Sequence, residues 1–411
     1  MTEPSFLPST PPRPATARQG AVILLGSSLT IVGAVMVAPV LPKLAAEFGP
    51  TTPHADALIP LVVAGPALAI ALFAPVAGWL ADRFGRKPML ILGTLLYALL
   101  GAAPSQLNDL SLILLSRLLF GCAEAMVMTC CTILVGDYWS GAERSRYIGR
   151  QVVTIGVVGS LFFVIGGAAG ESSWRTPFLL YLLPLLLLPA MALVLWEPVR
   201  TPRSERPKAA FDRDNRRRMA VACLLVFAGM LGANIVPVQA PGIIAALGVS
   251  SSTLIGLAAG LGLLSSLFGS IIWPGLRRLL GTRMVNALLL ALMAVGLWLL
   301  VHAGTYEMAL VAVAIGGTGV GLLVPNALAP LLEHLPEAAR ARGVGGFTSC
   351  LYLGQFGSPI VIAAIAAHVQ GDAQGVPAAI GVFSLALLGL AGVWLVIGLR
   401  RQVPAGEAGS A

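Results

Sequence analysis

The chain alternates long apolar runs with short polar breaks. The runs fall at residues 21–43, 56–79, 88–104, 109–136, 147–170, 174–196, 219–241, 252–275, 284–302, 307–332, 344–368 and 377–399. Each is close to the ~20 residues an α-helix needs to cross the hydrocarbon core of a bilayer. Only residues 197–218 form a connection that is both long and strongly polar. The pattern predicts an all-α membrane protein of twelve transmembrane helices. A tail (1–20) precedes a six-helix bundle (21–196), a linker (197–218), a second six-helix bundle (219–400) and a short tail (401–411).

Composition agrees. The 411 residues are 57% hydrophobic and only 11% charged, with a mean hydropathy of +0.88. Soluble domains carry about 25% charged residues, so a water-soluble fold is excluded, and the apolar content excludes a disordered chain. The first twenty residues lack the basic-then-apolar order of a signal peptide, and the first apolar run exceeds the roughly 7–15 residues such a peptide uses. It is expected to stay as an anchor. Cys122, Cys130, Cys131, Cys223 and Cys350 all lie inside apolar runs, which fits small buried side chains rather than disulfides or zinc ligands. His54, His302, His334 and His368 sit at run ends and form no metal cluster, so no metal is expected.

A net charge of +8 in a soluble protein would point to nucleic acid. Here the positions of the charges decide otherwise. With the N-terminus placed inside, 23 of the 26 Lys and Arg residues fall on the inner side. Lys43 and Arg175 fall outside, and Arg117 lies within a run. Cytoplasmic loops collect Lys and Arg, so both termini are expected in the cytoplasm, with the chain in the inner (plasma) membrane and no nucleic-acid partner. Trp79, Trp139, Trp174, Trp196 and Trp273 stand at run ends, as in an interfacial aromatic belt.

The halves repeat. Residues from Gly33 match residues from Gly232 at an offset of 199, pairing Gly33 with Gly232, Val37 with Val236, Pro42 with Pro241 and Gly49 with Gly248. Further on the offset is 196, pairing Gly85 with Gly281, Gly121 with Gly317, Arg144 with Arg340 and Arg146 with Arg342, while Asp137 meets Glu333. Two pseudo-symmetric bundles around a central cavity are the expected architecture, as in alternating-access carriers.

Between the second and third runs the chain reads Gly78-Trp79-Leu80-Ala81-Asp82-Arg83-Phe84-Gly85-Arg86-Lys87. This resembles the signature loop of the major facilitator superfamily, Gly-x-Leu-Ala-Asp-Arg-x-Gly-Arg-Lys. A degenerate second copy runs from Gly275 to Arg283, with Arg278 in the place of Asp82. The glycines allow close backbone approach and a tight turn, and Asp82 and Asp137 can pair with basic neighbours. The resemblance implies a conformational latch formed by Gly78, Asp82, Arg83, Gly85, Arg86, Lys87 and Asp137. Charges that only fix topology are the competing reading. Arg117-Leu118-Leu119-Phe120-Gly121 is similar to the family's fourth-helix motif. Where antiporter subfamilies carry Gly-Pro before a glycine pair, this chain has Phe162-Phe163 before Gly166-Gly167.

Of eighteen acidic residues, Glu124 is the one well inside a run. A charge at that depth costs from about 2.5 kcal/mol upward, so such a group faces a cavity and has a task. Arg117, seven residues earlier, projects from nearly the same helix face roughly 10.5 Å away along the axis. Glu124 is expected to exchange a proton, with Arg117 tuning it or binding an anionic part of the substrate. A buried ion pair that ties helices together is the alternative. Gln151, Asn234, Gln239, Asn326, Tyr352 and Gln355 are polar within or near runs and are the candidate substrate contacts.

No lysine stands in a Gly-Lys-Ser/Thr phosphate loop, and Gly316–Gly321 lies mid-run with no strand before it. No cofactor and no enzymatic activity are expected. The expected function is that of a monomeric secondary transporter, similar to the drug:proton antiporter and sugar-efflux branches, exporting a small amphipathic or drug-like molecule against protons. The alternative is an importer or uniporter of a sugar or organic anion.

Overall fold

A computed structural model describes residues 15–198, 213–369 and 375–400. Among these residues the secondary structure is helical throughout. The helices are α1 (Ala17–Phe48), α2 (Ala55–Phe84), α3 (Arg86–Gln106), α4 (Leu110–Tyr138), α5 (Gly141–Ala169), α6 (Thr176–Val194) and α7 (Arg213–Ala246). Then come α8 and α9, the two arms of one continuous Ser252–Val301 segment, followed by α10 (Tyr306–His334), α11 (Glu337–Val369) and α12 (Gly375–Leu399). Length and apolarity alone count 11 spans, because α8 and α9 run together. Gly281, at φ 74° and ψ 162°, breaks that segment in two and restores twelve. α7 begins at Arg213, within the linker expected over 197–218.

Side-chain oxygens start several helices, accepting from an otherwise orphaned N–H. Asp109 caps α4 by accepting from Leu112 N, Ser251 caps α8 from Leu254 N, and Thr305 caps α10 from Met308 N. The first helix of each half is interrupted at equivalent places. The regular part of α1 ends at Val35 before a 3-10 turn at Ala38–Val40, and α7 breaks at Asn234. Large apolar side chains such as Leu72, Leu193 and Leu224 point outward, as expected of a surface that meets lipid tails.

Twelve crossings place the start of α1 and the end of α12 on the same face. That face carries the loop at Gly85, the flanks of the linker and the turn at Gly281, together with Arg83, Arg144, Arg216–Arg218 and Arg277. It is called the basic face below, and the opposite one the far face. The two bundles meet where α5 packs on α8 and α2 packs on α11.

Glycine governs the closest contacts. A Cβ on Gly121 would lie 2.5 Å from Pro66 O, and one on Gly317 would lie 2.2 Å from Gly262 O. Gly121 and Gly317 are 196 residues apart, as are Pro66 and Gly262, so the duplication extends to backbone contacts. Gly85, with φ 104°, likewise matches Gly281. Along the far half of the bundle interface, α5 and α8 touch backbone to backbone: Cβ atoms on Gly167 and Gly256 would come 2.3 Å and 2.2 Å from Ser252 O and Phe163 O. Along the basic half they part, and a Cβ on Gly149 or Gly275 would meet nothing within 4 Å. The molecule is closed at the far face and open at the basic face.

Four of the five tryptophans expected in an aromatic belt are engaged inside the protein, Trp196 by stacking on Tyr138. Trp139 is 5% exposed and stacks on Tyr147, Trp174 is 3% exposed and donates to Glu47, and Trp273 donates to Asn326. Replacing Gly121 with Val should prevent α2 and α4 from closing, at a cost of about 1–3 kcal/mol or more. Gly149→Val should leave the thermal midpoint of purified protein unchanged. Fluorescence-monitored melting in detergent checks both.

Candidate functional site: the cavity between the bundles

A cavity of about 480 Å³ lies between the halves. Its wall takes Ser27, Thr30 and Ala34 from α1, Val63 to Ile70 from α2, Glu124, Met128 and Thr132 from α4, and Gln151 and Ile155 from α5. The second half adds Asn234, Val324, Leu351, Tyr352 and Gln355. Five of the eight residues expected to couple protons or touch substrate therefore share one wall: Glu124, Gln151, Asn234, Tyr352 and Gln355.

Most of the polar wall is already paired. Gln151 donates to Ser27 Oγ at 2.8 Å, and Asn234 donates to the Gln355 carbonyl at 2.9 Å. The hydroxyls of Ser27, Thr30 and Thr132 donate to carbonyls of their own helices. Tyr352 Oη donates across the cavity to Met128 Sδ at 3.0 Å. The Glu124 carboxylate, 3% exposed, has no hydrogen-bond partner and no ion pair among the described residues. It is a buried carboxyl group facing a mostly apolar chamber without a hydrogen-bond partner.

Arg117 is not in the cavity wall and forms no ion pair with Glu124, so the structure does not build the ion-pair alternative. Its side chain is fully buried, with Nε donating to Val62 O at 3.0 Å and Nη2 to Gly33 O at 2.7 Å. Both acceptors have a local cause. Val62 O lacks its helical donor because the residue four positions on, Pro66, has no N–H. Gly33 O lies in the last turn of regular α1, where carbonyls run out of intrahelical donors, and it also accepts from Tyr181 Oη at 2.8 Å. The guanidinium further stacks over Phe120, 4.3 Å from the ring centroid. Arg117 is a joint among α1, α2, α4 and α6.

Asn326 and Gln239 are also outside the wall. Asn326 is 1% exposed, donates to Thr282 O and Asn286 Oδ1, and accepts from Trp273 Nε1, so it locks α10 against the α8–α9 turn. Gln239 sits half-buried on α7 away from the chamber.

The expected latch residues gather at the basic face. Arg86 reaches Asp82 at 3.7 Å and Asp137 at 3.5 Å, all within the first bundle. Arg83 is not in this pair of contacts and lies over the rings of Trp79 and Phe84. Gly85 needs its positive φ, whereas Gly78 permits no special approach, since a Cβ there would meet only Thr129 Cγ2 at 3.9 Å. Lys87 Nζ donates to the carbonyls of Ala192 and Leu195, each at 2.7 Å, placing a cation on the negative end of α6. The second half builds a different pair, Arg277 to Glu333, bidentate at 2.7 and 2.8 Å.

Glu197 escaped the sequence reading. Its two carboxylate oxygens accept from Arg86 N and Lys87 N, both at 2.8 Å, which caps α3 from a distance of 110 residues along the chain. A lone glutamate at the edge of a basic linker carries no signal of that contact.

The sequence profile of the Major Facilitator Superfamily matches residues 23–221 and, a second time, residues 221–410. The chain belongs to the Major Facilitator Superfamily. The tetracycline resistance protein, class H, of Pasteurella multocida is 31% identical over 166 residues, 38% of this chain and 39% of that protein. The quinolone resistance protein NorA of Staphylococcus aureus is 29% identical over 161 residues, 39% of this chain and 40% of that one. The chain thus spans about two fifths of the length of these curated relatives. Among solved structures, an inward-facing, unoccupied bacterial homolog of the human lysosomal transporter Spinster superposes with a TM-score of 0.75 at 17% identity, over 95% of this chain and 98% of that one. The D-xylose-proton symporter gives 0.72 at 16% identity, over 92% and 97%. These likenesses establish the shared fold.

Arg117→Ala should orphan the buried Val62 carbonyl, at about 1–3 kcal/mol, and leave Gly33 O with Tyr181 as its one side-chain donor, lowering the thermal midpoint, whereas Glu124→Gln should leave it near wild type. A drop as large for Glu124→Gln would mean that the carboxylate is a structural partner. Glu197→Ala should cost about 0.5–2 kcal/mol through loss of the α3 cap, read by the same melting measurement.

Proposed function

We propose that this superfamily member is a secondary carrier that works by alternating access and exports a small amphipathic or drug-like molecule in exchange for protons. The observation that carries the reading is Glu124, an unpaired carboxylate on the wall of a largely apolar chamber open to one face. A carboxylate so placed binds either a proton or a cationic group, and the chamber's exposure to alternate faces turns that choice into coupling. The apolar wall from Val63 to Ile70 suits a hydrophobic body, and Gln355 and Tyr352 can orient a polar end. Efflux fits the two resistance proteins to which part of the chain is similar. With most basic residues on one face, that face is read as cytoplasmic and the membrane as the plasma membrane, and the carrier is read as a monomer. On this reading the ion pairs of Asp82, Arg86 and Asp137 brace the first bundle at the cytoplasmic face and act as the latch of the opposite conformation.

A facilitator or importer of a sugar or organic anion is the second reading, favoured by the carboxamides of Gln151, Asn234 and Gln355 in the wall. Liposomes loaded with a pH dye separate the two. Lipophilic cations, sugars and organic anions are added in turn to wild type and Glu124→Gln. Substrate-evoked proton movement in the wild type, reduced at least tenfold in the variant, is the expected outcome. Uptake of a labelled sugar without proton movement would sink the exchange reading.

A further inference from the structure

The far face holds a cross-bundle contact that the apolar pattern does not announce. Beyond the glycine contacts of α5 and α8, Glu171 lies in the turn after α5. One carboxylate oxygen, Oε1, accepts three hydrogen bonds from the start of α8: from Ser251 Oγ at 2.5 Å, Thr253 Oγ1 at 2.7 Å and Thr253 N at 2.9 Å. Ser251 is the N-cap of α8 and accepts from Leu254 N at 3.3 Å. The carboxylate therefore belongs to one bundle and satisfies the helix end of the other, at the positive pole of the helix dipole. The turn that presents it is itself held: Lys43 Nζ, from α1, donates to the carbonyls of Gly170 and Glu171 at 2.6 and 2.7 Å. Each piece is anchored within its own bundle, and Glu171 spans the seam.

We propose that Glu171 holds the far-face gate shut by lending its carboxylate to the N-terminus of α8, and that the carrier opens to that face by releasing this contact, a release favoured when the carboxylate takes a proton from the far side. The backbone contact beneath it is apolar and carries no charge, since α8 has no ionisable side chain between Ser251 and Arg277. Lys43 is the charged group that faces Glu171, and Tyr306, from α10, donates its hydroxyl to Leu254 O in the first turn of α8. Donation from Ser251 and Thr253, aided by Lys43, holds the Glu171 carboxyl down at about 2, from an ordinary 4.5. In the far-open state, where α8 has moved away, the carboxyl returns to its ordinary value. A group depressed in the closed state stabilises that state above the ordinary value and ceases to do so as pH falls toward the depressed one. The closed gate is therefore favoured at neutral pH and weakens below about pH 4.5.

The proposal rests on alternating access but is tested without transport. Spin labels at Thr51→Cys in the first bundle and Gly304→Cys in the second report the far-face distance in nanodiscs by pulsed electron resonance. In otherwise wild-type protein the open-to-closed ratio should rise by up to about tenfold between pH 7 and pH 3.5. Glu171→Ala should raise it severalfold already at pH 7 and flatten the pH response. Thr253→Val, which removes one donor while keeping the carboxylate, should fall between the two. A pH response in Glu171→Gln that equals wild type would overturn the assignment to Glu171. A distance that stays fixed in every variant at every pH would overturn both it and the gate.

Discussion

Helices α5 and α8 touch backbone to backbone along the far half of their length and stand apart along the basic half. The rest of the molecule is arranged around that contact. It is possible because glycine stands at 167, 256 and 260, where a methyl group would press on a carbonyl of the facing helix. In a membrane there is little hydrophobic gain from bringing two apolar helices together, so close packing and interhelical polar contacts hold them. A seam built from short-range contact can part as a unit, while each bundle keeps its own core. The cavity and its opening to one face follow from where the seam stops.

Charge inside the bilayer is handled in two ways on one helix. Arg117 is solvated locally at Nε and Nη2, by carbonyls that a proline and a helix end have left without donors, while its Nη1 has no hydrogen-bond partner. Glu124, two turns further along α4, is given no such partner and faces the chamber. Residues 196 positions later are Val313 and Val320, so the second bundle carries neither charge. The duplication conserved how the helices pack and let the chemistry reside in one half. The same asymmetry appears at the basic face. The first half surrounds Arg86 with Asp82 and Asp137, while the second pairs Arg277 with Glu333. Both are contacts inside a bundle and stiffen the ends of helices that must move as bodies.

Helix ends recur as the places where distant segments are joined. Glu197 satisfies the start of α3, Lys87 the end of α6, and Glu171 the start of α8. Each uses a charged side chain from elsewhere in the chain to meet backbone groups that the helix cannot satisfy itself. The first two join elements of one bundle and the third joins the two bundles, which is why the third is the one that bears on opening.

Hydropathy and charge were enough to set the number of spans, the division into six and six and the basic face, because span length and loop charge are local properties that a bilayer imposes on any chain, while the resemblance to the superfamily rested on the loop motif from Gly78 to Lys87. The singular position of Glu124 was legible for the same reason: a carboxylate deep in an apolar run stands out without any neighbour being known. Which polar residues share the chamber was legible only in part. Gln151, Asn234, Tyr352 and Gln355 reach it, whereas Arg117 and Asn326 turn into helix junctions, a distinction set by helix rotation and by carbonyls left open nearby. The roles of Glu197 and Glu171 were not legible at all, since their partners lie 110 and about 80 residues away and depend on how helix ends meet in space. The side on which the bundles close was likewise decided by the tertiary structure, because glycines occur along both halves of α5 and α8 and only the packing shows which of them are in contact.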